Sequence, residues 1–303
     1  MRFPGVAAVS AALFLAACDD SSLGRSPTSP ARPDTVQTQS AESQALARYY
    51  LAVQNDLLSR GLMRVDGGGP DTPFTADDLA RNFAKVAFYD EYVGPRTGAP
   101  GRLARWGGPV RVTAEFGPTV PAESVMKDRK IIQDYTRRLG QVTGHTVVPA
   151  NTNGNFTVFV AGEDDKAWLD ARVRQLIPGI TAEQIGLFTN VPRSIYCLVV
   201  AFSGDGTPDT YTRAVALVRA EHPDLVRRAC VHEEVAQGLG LPNDSPQARP
   251  SIFNDDDEFA LLTTHDELLL RMLYDQRLKP GMTEAKAAPV TRILAREYMR
   301  LSL

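Results

Sequence analysis

The sequence predicts an α+β fold in which helices and short strands share one folded body. Residues 109–116 alternate between apolar and polar side chains as a strand does, and a long amphipathic helix follows over residues 122–144. Two β-rich segments, 194–203 and 210–220, flank the turn residues of "GDGTPD", which favour a hairpin. A helix rich in acidic residues comes next, and this order of elements is typical of α+β domains.

A helical segment is expected before this domain, over residues 41–100. Apolar residues recur at helical spacing from Glu42 to Arg60, and "GGGP" at 67–70 then interrupts the pattern. Thr75 precedes two aspartates at the start of the next helix, as an N-cap residue does. The folded α+β domain is expected over residues 101–303.

The N-terminus, "MRFPGVAAVSAALFLAAC", predicts export. One early positive charge precedes an apolar run that is too short to span a bilayer, which is typical of a secretory signal peptide over residues 1–17. "LAAC" resembles the lipobox of bacterial lipoproteins and implies that Cys18 carries lipid such as palmitate; the alternative is a plain secretory signal. Asp19 resembles a signal for retention in the inner membrane. Residues 18–40 are rich in Ser, Thr, Pro and Gln, which predicts a flexible tether facing the periplasm.

Charge and motifs exclude several classes of function. The 33 basic and 36 acidic residues give a formal charge of −3, so there is no basic footprint for nucleic acid. The sequence contains no G-x-S-x-G, P-loop or G-x-G-x-x-G motif.

Cys197 and Cys230 remain once Cys18 is assigned to lipid. In an exported chain, two remaining cysteines are most simply interpreted as a disulfide, and the alternative is two separate buried thiols. Neither cysteine lies in a C-x-x-C motif, which argues against a redox or zinc role.

The stretch "CVHEEVAQGLGLPND", residues 230–244, contains half of a zinc-protease motif. His232 and Glu233 match the start of H-E-x-x-H, but Ala236 stands where the second histidine belongs and cannot bind metal. His232 also shares an apolar stripe with Ala229 and Leu239. A hydrogen-bonded structural histidine is therefore the favoured interpretation.

A second frame begins one residue later and resembles the metzincin signature H-E-x-x-H-x-x-G-x-x-H. That frame overlays Glu233, Glu234, Gln237, Gly240 and Asn243, which retain the glutamate and the glycine but none of the histidines. "SIF" at 251–253 then follows at the place of the methionine turn. The resemblance implies a zincin-like mixed sheet with a long backing helix and an active-site-type helix.

The mature chain also resembles a bacterial lipoprotein family that is classified only as a domain of unknown function. The segments "EEVAQGLGLPND", "SIFNDDDEF", "LLTTHDELLLRMLYD" and "LKPGM" carry this resemblance. It implies no particular activity.

The candidate site follows from these residues. Glu234 is the candidate general base, and Glu233, Gln237, Asn243 and Asp244 are candidates for a cleft that binds ligand. Their oxygen atoms suit a divalent metal such as calcium or magnesium better than zinc, and no metal ligand is assigned. A buried Glu233–Gln237 pair with a purely structural role remains an alternative.

Two functions remain open at the level of sequence. We expect an envelope lipoprotein, anchored in the membrane by its N-terminal lipid, that binds a peptide, a protein or a cell-wall component. The alternative is an active peptidase-like hydrolase with an unusual metal site and Glu234 as its general base.

Overall fold

The computed structural model describes residues 39–89 and 100–301, which belong to one compact unit. The predicted signal peptide, Cys18, Asp19 and nearly all of the predicted tether lie outside the described residues. The described helices are α1 (Ala41–Ser59), α2 (Ala76–Phe88), α3 (Ala122–Thr143), α4 (Lys166–Leu176), α5 (Ala182–Thr189), α6 (Asp224–Gln237), α7 (Thr264–Tyr274) and α8 (Glu284–Leu301). The described strands are β1 (Arg105–Trp106), β2 (Val110–Phe116), β3 (Val147–Pro149), β4 (Phe156–Ala161), β5 (Cys197–Gly204) and β6 (Thr207–Arg219). None of the described helices is long and apolar enough to cross a membrane.

The strands form one curled, mostly parallel sheet, so the fold is mixed α/β. Strand β2 pairs in parallel with β3 and β4, and β4 pairs in parallel with the second half of β6. The short strand β1 pairs in parallel with β6 nearer its start. Strand β5 is antiparallel to β6, which confirms the predicted hairpin and makes the sheet mixed.

The sheet is covered on both faces because its strands are apolar at successive positions. In β4, Val158 and Val160 belong to the larger core, whereas Phe159 and Ala161 belong to a second core beneath α4 and α5. Successive side chains of a strand point to opposite faces, so each face of β4 takes every second residue. Helix α6 packs on the larger core.

Helix α3 lies against β2 and β3. It ends at Gly144, which adopts a left-handed conformation (φ 64°), close to the predicted end at that residue. Gly140 lets the helix approach the sheet, since a Cβ atom there would lie 2.6 Å from the Val147 carbonyl oxygen.

The C-terminal third departs from the prediction in two ways. The segment "THDELLLRMLYDQRL" predicts a helix over residues 264–278 with Thr264 as its N-cap. Helix α7 is instead capped by Thr263, and it ends at Tyr274. Helix α8 follows although no helix was expected there. Pro289 lies within its second turn, where a proline still interrupts the sequence signal for a helix.

Candidate functional site: the cleft beside α6

Helix α6 is held in place by apolar packing and by a disulfide. Val231 and Val235 point into the larger core and are almost completely buried. A disulfide joins Cys230 to Cys197 at the start of β5, which confirms the predicted pairing. The bond holds the middle of the helix against the edge strand of the sheet.

His232 is a structural residue, in agreement with the sequence interpretation. Its ring stacks on Tyr135 with 3.9 Å between ring centroids, and its Nδ1 accepts a hydrogen bond from the Leu262 N–H at 3.1 Å. The Tyr135 hydroxyl donates to the His232 carbonyl oxygen at 2.7 Å. Burial, followed by the charges of Arg228 and Arg138, lowers the pKa of His232 to about 3. The ring is therefore neutral and faces away from the cleft described next.

A cleft of about 330 Å³ lies on the other side of α6, which is within the usual size range of ligand sites. Its walls are α6, the chain before β5, the loop after residue 251 and Met63. Among the residues that line it within the described chain, five are acidic and none is basic or a histidine. The acidic residues are Glu233, Glu234, Asp244, Asp255 and Asp257.

Glu233 and Glu234 both face this cleft although they are neighbours on a helix. Neighbouring helical side chains diverge by about 100°, so two such residues need not face one cavity. The cleft extends around the C-terminal half of α6 and reaches both side chains. One carboxylate oxygen from each lies within 4.8 Å of the other and of the Cys197 Sγ atom. Because that sulfur is in a disulfide, it is not a thiolate ligand, and the two carboxylates form the pair.

Gln237 and Asp244 complete the acidic cleft, whereas Asn243 does not line it. The Gln237 side-chain amide donates to Asp244 Oδ1 at 3.1 Å, and both residues line the cleft. The Asn243 amide instead donates to the carbonyl oxygens of Lys85 (3.0 Å) and Asp244 (2.7 Å), so its side chain ties the end of α6 to α2.

Gly240 is explained by packing. It has a φ of 127°, which side chains rarely adopt, and an added Cβ atom would lie 2.4 Å from the Ala104 carbonyl oxygen. The glycine of the metzincin-like frame is therefore required by the backbone at this turn, whatever the chemistry of the cleft.

The wall opposite α6 is held by a buried carboxylate that sequence reasoning missed. Asp266 accepts hydrogen bonds from the Ser251 hydroxyl at 2.5 Å, the Ile252 N–H at 3.1 Å and the Thr263 hydroxyl at 2.8 Å. These bonds fix the turn 251–253, in which Ile252 lines the cleft and Phe253 is fully buried. The sequence signal that could have located this carboxylate is the capping box formed by Thr263 and Asp266 at the start of α7.

The acidic loop 254–258 forms the outer rim of the cleft. The Met63 and Arg64 N–H groups donate to the carbonyl oxygens of Asp257 and Glu258, both at 2.8 Å, so the chain after α1 holds this loop. Although Asp257 is exposed as a residue, burial of its carboxyl group raises its pKa, as does the charge of Asp256, whereas the charge of Arg60 lowers it. The rim thus carries three successive aspartates, Asp255, Asp256 and Asp257, with the charge of Arg60 acting against them.

A second cavity of about 330 Å³ lies beside the first, along β5. The two cavities share Ile195 and Gln237. Within the described chain, the lining of this second cavity contains no charged residue. It is apolar over most of its wall, including Leu187, Val199 and Ala201.

Comparison with known proteins places the chain in a family. A family model described as "Protein of unknown function (DUF2927)" matches residues 76–293, which is more than two thirds of the chain. The chain belongs to this family. The match includes the whole of α6, both glutamates and the acidic loop, and it begins at the first residue of α2. No curated protein matches the DUF2927 chain.

Proposed function

We propose that this DUF2927 protein is a lipid-anchored protein of the bacterial cell envelope whose α6 cleft binds a ligand without zinc-dependent hydrolysis. The ligand class is a peptide, presented alone or as a segment of a protein or of cell-wall material. One observation carries the proposal. The side chains of Glu233, Glu234, Gln237 and Asp244 meet in a cleft whose opposite rim adds Asp255 and Asp257.

The location rests on the N-terminal sequence. The short apolar run and "LAAC" support cleavage before Cys18 and attachment of lipid there, and Asp19 supports retention in the inner membrane. The disulfide agrees with an oxidising compartment such as the periplasm.

The arrangement of elements supports a zincin-like scaffold. The long helix α3 backs a mixed sheet, the antiparallel strand β5 lies at its edge, and α6 packs beside that strand. Within the described residues, β5 pairs with β6 alone, so its other edge has no strand partner there, which fits the addition of an extended peptide.

The side chains that could act as metal ligands in the cleft do not fit catalytic zinc. A zinc peptidase holds its metal with imidazole and carboxylate ligands. Here the frame supplies Glu233 and Gln237, and the third position, Asn243, is turned away to the Lys85 carbonyl oxygen. His232 faces Leu262 on the other side of the helix. We therefore assign no catalytic step to a metal.

An active hydrolase remains the second candidate, and one observation favours it. One oxygen of the Glu233 carboxylate lies within 4.8 Å of one oxygen of the Glu234 carboxylate in this cleft, so both groups can contact the same substrate as acid and base. In this alternative Glu234 is the general base.

Peptide binding tests the proposal directly. Full-length protein extracted in mild detergent is incubated with an unbiased peptide library, and retained and cleaved peptides are identified by mass spectrometry. We expect a retained subset without cleavage, and at least tenfold weaker retention by Glu233→Gln. The matched control is Glu123→Gln, an exposed glutamate on α3, which should bind like the wild type.

Two outcomes contradict the proposal. If no peptide is retained, the cleft is not a peptide site. If peptides are cleaved, a stoichiometric metal is found by elemental analysis and Glu234→Gln abolishes cleavage, the hydrolase is correct.

The anchor is tested separately. Metabolic labelling with a clickable palmitate analogue should label the wild-type chain, whereas Cys18→Ala should lose the label because no thiol remains at position 18. Equal labelling of both proteins would exclude lipidation at Cys18.

A further inference from the structure

We propose that the apolar cavity along β5 is the second half of the ligand site, and that the ligand is a basic peptide. One apolar side chain of the peptide enters this cavity, and a Lys or Arg close to it in sequence enters the acidic cleft. This inference rests on the proposed function and specifies the peptide that the cleft selects.

The cavity is built for an apolar side chain. Val199 and Ala201 of β5 form one wall, Leu187 and Val191 form another, and Pro242 lies beyond the end of α6. Leu187 is 53% exposed, so an apolar side chain stands at the mouth of the cavity in contact with water. Covering it with an apolar group of the ligand removes that contact, which is favourable.

The acidic cleft supplies the charge complementarity that defines the partner. Its described lining carries five carboxylates and no Lys, Arg or His. Two carboxylates within 4.8 Å of each other repel when both are ionised, and a cationic group between them relieves that repulsion. An Arg or Lys of the ligand also pairs with Asp255 and Asp257 at the rim of the cleft.

The two cavities are close enough for one short peptide. They share Ile195 and Gln237 in their walls, so the two cavities are adjacent. An extended chain advances about 3.3 Å per residue and places every second side chain on the same side. A peptide that pairs with the outer edge of β5 can therefore direct residues i and i+2 into the two cavities. Neither a metal ion nor a polyamine offers both an apolar side chain and a spaced cation.

A panel of defined peptides tests this assignment on the full-length protein in detergent by isothermal titration calorimetry. The parent is an acetylated and amidated heptapeptide with a central Leu-Ser-Arg. Its variants replace Arg by citrulline, which keeps the shape but loses the charge, or replace Leu by Ser. We expect each change to weaken binding at least tenfold, and binding of the parent to weaken as salt is raised.

Matched protein variants locate the two halves. Leu187→Asp should weaken binding of the parent at least tenfold and reduce the advantage of Leu over Ser in the peptide. Ile293→Asp, which is also 53% exposed but lies on α8, should bind as the wild type does. Asp255→Asn should weaken binding of the Arg peptide, whereas Asp256→Asn should not, because Asp255 lines the cleft and Asp256 does not.

The outcomes separate this inference from the proposed function. If the library yields neutral or acidic peptides whose binding depends on Glu233, the cleft is a peptide site and the basic-peptide assignment is wrong. The assignment also fails if calcium or spermidine binds in the same assay while the parent peptide does not. If no peptide of any kind binds, both proposals fail.

Discussion

The buried face of α6 and its cleft face use polar side chains in opposite ways. On the buried face, the hydrogen bonds of His232 are made within the protein, with Tyr135 and Leu262, and the ring is held neutral. On the cleft face, Glu233 and Glu234 both line a cavity that is rich in carboxylates, and one oxygen of each lies within 4.8 Å of the other. His232 and Glu233, the two residues of an apparent H-E motif, thus face different sides of α6, because each helical residue is rotated by about 100° from the last.

The largest expected effect concerns Gly240, which we place with the structural residues. Gly240→Ala should lower the free energy of unfolding by about 3–5 kcal/mol, since the new Cβ atom meets the Ala104 carbonyl oxygen at an unfavourable φ. Urea denaturation measures this change. Gly144→Ala, where an added Cβ atom meets nothing within 4 Å, should cost less because only the φ is unfavourable. Equal losses at both glycines would show that the close approach at Gly240 is unimportant.

The second-largest effect on stability is expected from loss of the disulfide, because it joins helix α6 to the edge strand β5. Replacing Cys197 and Cys230 together by Ser should lower the free energy of unfolding by about 3–4 kcal/mol in the chain-entropy account. Reduced wild-type protein should then unfold at nearly the same urea concentration as the variant. A loss below about 1 kcal/mol would show that the bond constrains the unfolded chain little.

The buried His232 should also make the stability of the protein depend on pH. The pKa of His232 is lowered to about 3 in the folded protein, while the unfolded chain takes up a proton near pH 6.5. Because the unfolded chain binds more protons between these values, stability is complete above about pH 6.5 and falls as the pH drops towards 3. The expected slope from this group is about 1.4 kcal/mol per pH unit.

Replacing His232 separates its contribution to the pH dependence of stability from the contributions of other titratable groups. His232→Asn keeps a side chain that can accept a hydrogen bond but cannot titrate, so unfolding between pH 6.5 and 4 should depend less steeply on pH. An unchanged slope would mean that the ring is not held neutral.

The smallest effect on stability is expected on the cleft face. Glu233→Gln should change the free energy of unfolding by less than about 0.5 kcal/mol, because the side chain is partly exposed and glutamine keeps its shape. The same variant should lose most of its peptide binding. A destabilisation above about 2 kcal/mol would instead support the structural Glu233–Gln237 pair that the sequence left open.

Local signals in the sequence predicted much of this arrangement. The capping residue Thr75, the end of α3 at Gly144 and the hairpin of β5 and β6 follow from turn and cap chemistry that acts over a few residues. The disulfide followed from counting cysteines in an exported chain. The parallel pairing of β2, β4 and β6 joins segments far apart in sequence, and no local pattern specifies it.

The membership of the cleft was harder to predict. Asn243 keeps the spacing of a third ligand, yet its amide is used by the Lys85 carbonyl oxygen, on a helix more than 150 positions away. Glu234 shares the cleft with Glu233 because the cavity extends around the end of α6, which depends on the loop 251–258 opposite. Tertiary contacts of this kind leave no trace in the spacing of a motif.

Calorimetry on protein freed of metal by exhaustive chelation shows whether the acidic face of α6 is a binding site independent of metal. The titrant is the peptide that the library retains most strongly. We expect chelated wild-type protein to bind this peptide with unchanged affinity and chelated Glu233→Gln to bind it at least tenfold more weakly. Loss of wild-type binding on chelation, with recovery when a divalent metal is restored, would contradict it.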